Sequence, residues 1–182
     1  VLPSWSRRSL PSAVENALVA LASYAGTALS MTPDALSGRR IARERAYAAL
    51  DALISIVRLG NVEPARVRPP LPALVSFIDH AQSLMAHLSS LRLLLARRAE
   101  QLRNTEAERA LVEARPRIGR RLEVDAAPYS LSPQAQPLHL ELPSVPAESS
   151  AYPWLVRRIN VSIYEADRTG QAARATLSLL RQ

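Results

Sequence analysis

The sequence predicts an all-α fold: an antiparallel bundle of four main helices with one long central helix and a Pro-rich extended insertion. Three observations carry this. Apolar residues make up 48% of the 182 residues but aromatics only 4%, and this Ala- and Leu-rich balance suits closely packed helices better than a β-sandwich. Four stretches place apolar side chains at alternating steps of three and four, the spacing of one buried helix face. Strict apolar–polar alternation, the mark of a half-buried strand, is confined to two short runs. A chain of this length fits one domain with a real core, expected to span 1–182.

Residues 1–9 combine an apolar-aromatic start with the adjacent Arg7 and Arg8. Two readings stand. One is a chain end packing Trp5 on the bundle. The other is a membrane-exit segment over 1–10, with Trp5 at the headgroup level and Arg7 and Arg8 just cytoplasmic. Pro11 then opens the first helix, expected over 11–30, with Val14, Leu18, Leu21, Ala25 and Ala28 as its stripe.

Thr32-Pro33-Asp34 reads as a helix start: a hydroxyl cap, Pro at the first helical position, then an acid near the positive end of the dipole. The second helix is expected over 32–59, stopped by Gly60-Asn61, with Leu36, Ala46, Leu50, Leu53 and Val57 pointing inward. Its first half carries Arg39, Arg40, Arg43 and Arg45 around Glu44. Arginines at this density form a solvated face, an anionic-lipid contact, or ion pairs to a neighbouring chain.

Four prolines between Glu63 and Pro72 demand an extended connection. The long central helix is expected over 71–112, with Leu74, Ile78, Ala81, Met85, Leu88, Leu95, Ala99 and Leu102 on its seam. Its last part alternates acids and bases, from Glu100 and Arg103 to Glu106, Arg109 and Glu113, as an exposed helix with i,i+3 and i,i+4 pairs does. The first two helices are shorter, so Leu94, Leu95 and Leu102 are expected to lack a cover and to support self-association. The competing reading folds the Pro-rich stretch back over them.

Over 116–149 the helical period gives way to prolines. Leu122-Glu123-Val124-Asp125 and Leu138-His139-Leu140-Glu141-Leu142 alternate, so the stretch is either a short hairpin or a long irregular loop. The last helix is expected over 150–181, with Pro153 in its first turn and a seam from Leu155 through Ile159, Ser162, Ala166, Thr169 and Ala173 to Leu177 and Leu180. Gly170 weakens it locally and marks a close crossing.

Chemistry is sparse. With no cysteine, disulfides and thiolate metal sites are excluded. His80 and His87 lie seven residues, or about 10 Å, apart on one helix and cannot share a metal. Asp79, Ser83 and His87 fall on one face as a small polar cluster or, better, as solvated residues. There is no Gly-rich phosphate loop, His-Glu-x-x-His motif or nucleophile elbow. No catalytic residue, metal site or cofactor is therefore expected, and the chain does not read as an enzyme. The net charge is +7, and all 23 basic residues are arginine. These are scattered among 16 acids with no helix-turn-helix, zinc finger or aromatic platform, so nucleic acid is not the expected partner. No apolar run is long enough to span a bilayer.

Several positions together resemble the soluble domain of the FUSC family, the fusaric acid resistance and aromatic acid exporter-like inner-membrane proteins. They are Pro3-Ser4-Trp5 with Leu10-Pro11, then Tyr24, then Arg39-Arg40-x-Ala42-Arg43-x-x-Ala46-Tyr47 leading into Leu50 and Leu53. Glu63-Pro64 and the Leu155-Val156-Arg157-Arg158-Ile159 helix complete the set, which covers most of the chain except 116–149. The resemblance implies a cytoplasmic, non-catalytic domain of an inner-membrane efflux transporter for aromatic or other organic compounds, serving in assembly or regulation. Its expected partners are its own transmembrane block, further copies of itself, and anionic lipid headgroups met by Trp5, Arg7, Arg8, Arg39, Arg40 and Arg43. The chain also starts at Val1 without Met, as a piece of a longer protein would. The alternative is a free-standing helical-bundle interaction module.

Overall fold

A computed structural model describes residues 5–32, 36–60, 69–103, 105–125 and 152–181, without the side chains of 5–8 and 36. It is all-α. Among the described residues five helices follow in order: α1 (Trp5–Ala28), α2 (Leu36–Gly60), α3 (Leu71–Leu102), α4 (Glu106–Arg121) and α5 (Pro153–Leu180). No strand occurs among the described residues.

The apolar stripes point where their spacing says they should. Val14, Leu18, Leu21, Ala25 and Ala28 of α1 are buried, as are Ala46, Leu50 and Leu53 of α2. They join the α3 seam and side chains of α4 and α5 in one continuous core centred on Phe77, Leu84, Leu88 and Leu91. Along α5, Ser162, Thr169 and Thr176 are fully buried at seven-residue steps. Each hydroxyl donates to the carbonyl four residues back, at 3.0, 2.7 and 2.8 Å, so these small polar residues enter the core already satisfied.

Cross-links set the directions. Tyr152 against Gln101, Trp154 against Arg98, Arg158 against Ser90 and Glu165 against His80 make α5 antiparallel to α3. Gly60 at the end of α2 meets Leu71 at the start of α3, while α1 meets the later part of α3 through Tyr24 and Ser89.

Several expected boundaries move. The 71–112 helix is two helices: Arg103 is extended (φ −65°, ψ 136°), Thr105 likewise (φ −103°, ψ 172°), and the chain turns into α4. The Thr105 hydroxyl donates to the Leu102 carbonyl at 2.6 Å, closing the end of α3. Thr105-x-x-Glu108 has the form of a capping box, and Glu106 and Glu108 stand at the positive end of α4 with Arg120 and Arg121 at its negative end. The expected insertion therefore starts later than 116. Pro116 lies inside α4, and Ile118 and Leu122 are buried. Residues 122–125 form a turn instead of a strand, while 126–151 lie outside the described residues. At the other end, α1 begins at Trp5 and runs through Pro11, because fully buried Leu10 belongs to the same stripe as Val14.

Gly170 is where α5 meets the end of α4. A Cβ there would collide with the Arg121 carbonyl oxygen, and Arg174 Nη1 caps the carbonyls of Arg121 and Glu123 at 3.3 Å each. The close crossing expected at Gly170 is between α5 and α4.

Candidate functional site

A polar part of the interior lies where α1 ends. Ser30, buried, pairs its hydroxyl with that of Thr32 at 2.7 Å. Two guanidinium groups reach this segment from different helices: Arg92 Nη1 of α3 donates to the Ser30 carbonyl at 3.2 Å, and Arg39 Nη2 of α2 donates to the Thr32 carbonyl at 2.7 Å. The Tyr24 hydroxyl bonds Ser89 Oγ at 2.9 Å, one helical turn before Arg92.

Arg39 is only 8% exposed, and its Nε is buried without a hydrogen-bond partner. Ion pairs among the described residues link Arg40 to Glu44, His80 to Glu165, Arg103 to Glu100, Arg121 to Asp167 and Arg181 to Glu15; neither Arg39 nor Arg92 takes part. The electrostatics agree. Burial first, and then the neighbouring Arg39 charge, pull the Arg92 guanidinium below the usual arginine value, with Tyr24 acting against them.

Ser30 and Thr32 also line, with Leu29, Met31, Leu111 and Val112, a cleft of about 480 Å³ that Arg103, Glu108 and Arg115 share. Among the described residues no group of three or more His, Asp or Glu is placed to hold a metal. Asp79, Ser83 and His87 make no hydrogen bond to one another among the described residues. His80 turns to α5 instead, with Nδ1 3.5 Å from Glu165 Oε2.

The arginines singled out in the sequence separate into two kinds. Arg40 and Arg43 are exposed, and the hydrogen bond and charge of Glu44, 2.9 Å away, raise the Arg40 pKa. Arg39 belongs to the interior. Trp5, Arg7 and Arg8 fall in the first turn of α1, and their side chains lie outside the described residues. The helix between them and Ser30 is 24 residues, or about 36 Å, long. The two arginine groups therefore mark opposite ends of α1 and do not form one patch.

Leu95 and Leu102 do not lack a cover. Both are fully buried in the core that α3 shares with α4 and α5; Leu94 is half-buried. Arg92 is not among the arginines that charge density marks, and Arg39 is buried where that density suggests a solvated face. The signal was one of phase: Arg39 keeps step with Ala42, Ala46, Leu50 and Leu53, and Arg92 with Leu88 and Leu95.

Against protein-family models, curated proteins and solved structures, the chain has no match. Among the described residues, no helix is long and apolar enough to cross a membrane.

Proposed function

We propose that this chain is a non-catalytic helical domain of an inner-membrane exporter for aromatic or other organic compounds, and that it works in assembly or regulation by docking. The FUSC-like sequence positions suggest the setting. The observation that carries the docking role is the outer face of α2, where Ile41 (47% exposed) and Tyr47 (48% exposed) stand among the exposed Arg40, Arg43 and Arg45. The two apolar side chains flank the exposed Arg40–Glu44 pair, a mixture of apolar and charged groups that suits a non-obligate interface.

Two measurements test this. Reading the coding sequence upstream of Val1 should reveal five or six apolar stretches of about 20 residues each. A soluble start there would overturn the exporter reading in favour of a free-standing interaction module. In the full-length protein, Ile41→Asp with Tyr47→Asp should impair assembly and export while leaving the melting of this domain unchanged. Unaltered assembly and export would remove the α2 face from the mechanism.

A further inference from the structure

We propose that Arg39, Arg92 and the N-terminal end of α2 form an interior binding site for a phosphate-type oxyanion. A buried, unpaired cation is expensive, and a second cation beside it adds repulsion. Arg39 is more than nine-tenths buried, and no acid among the described residues pairs with either guanidinium. Arg39 also sits in the first turn of α2, where the helix dipole is positive and disfavours another cation.

The geometry says where a ligand would sit. Ser30 and Thr32 are two residues apart, so their Cα atoms are within about 7.6 Å of each other. The guanidinium groups bonded to these carbonyls are near enough for the Arg39 charge to act on Arg92. Both are held by backbone carbonyls through one nitrogen each, which fixes their positions and leaves further N–H groups. The Nε of Arg39 is one of these, buried and without a partner. Orientation by neutral carbonyls without neutralisation is what a preorganised anion site requires. Two full charges and a helix end match a doubly charged phosphate better than a single carboxylate. The site is separate from the exposed arginine face of α2 and does not depend on the docking role proposed above.

The test uses thermal melting in phosphate against chloride at equal ionic strength. Phosphate should raise Tm saturably. Arg39→Gln and Arg92→Gln should each weaken the apparent phosphate affinity about tenfold or more, the scale of one charge-assisted hydrogen bond. Arg40→Gln, at an exposed neighbour, should change it less than about twofold. Because Arg92 lies on a different helix from Arg39, its variant keeps the result readable if Arg39→Gln fails to fold. Cosedimentation with phosphatidylglycerol vesicles separates the sources: capture lost in Arg39→Gln would assign a lipid phosphate, and no capture a free one. A wild-type Tm indifferent to phosphate overturns the proposal, as does equal loss in Arg40→Gln. A phosphate response seen only in Asp34→Asn also overturns it, because that carboxylate would then be the natural counter-ion.

Discussion

Gly170 shows how one missing methyl group decides a contact between helices. Its place on α5 is filled by the carbonyl oxygen of Arg121, which is backbone and cannot rotate aside. Gly170→Ala would gain about 1 kcal/mol of helix propensity but lose about 1–3 kcal/mol to overpacking, and the Arg174 cap would be displaced with it. Urea denaturation should therefore show a net loss of up to about 2 kcal/mol. Gly119 on α4 is the control, since an added Cβ there meets nothing within 4 Å. Gly119→Ala should stabilise by up to about 1 kcal/mol, and the same sign at both glycines would refute the crossing. Propensity and the small seam residues around Gly170 made its role legible in the sequence. Arg39 and Arg92 were less so: their phase with the apolar stripes points inward, but an arginine is so rarely buried that its charge outweighs its phase.

Among the elements, α4 departs furthest from expectation. Its alternating charges read as the continuation of α3, since i,i+4 ion pairing looks the same in one long helix or in two. The capping-box pattern at Thr105 is the local signal for a new start, and burial of Ala107, Leu111, Ala114 and Ile118 is what holds the result in place. The proline density suggests that helical structure ends near 116, yet Pro116 is exposed within α4. There it denies the Val112 carbonyl its usual partner. Pro116→Ala should restore that bond and raise stability by about 1–2 kcal/mol, less the entropy that proline removes from the unfolded chain. A lower Tm for Pro116→Ala would mean that the ring itself is needed. The α3–α5 pairing is of a different kind. Each helix has a long apolar seam, and the cation–π contact of Arg98 over Trp154 at 5.0 Å fastens them beside the kink that the non-helical backbone of Arg98 (φ −122°, ψ 18°) makes in α3.

At the scale of the whole molecule, one core joins all five helices, and burial sorts neighbouring leucines sharply. Leu95 is fully buried and Leu93 is 56% exposed, two residues apart on the same helix. Leu95→Glu should therefore abolish the cooperative melt by burying a carboxylate, whereas Leu93→Glu should shift stability by no more than about 0.5 kcal/mol. Similar melts for the two would mean that α3 is rotated from the face described. The separation along α1 has an electrical meaning as well. If a bilayer held the Trp5 end with α1 upright, Ser30 and its two guanidinium groups would hang about 36 Å away. Screening at physiological salt decays over about 8 Å, so the surface potential there would fall to about one hundredth of its value at the headgroups. The far end of α1 would then sample the dissolved ions of the surrounding solution, blind to the charge of the lipid to which the chain was tied.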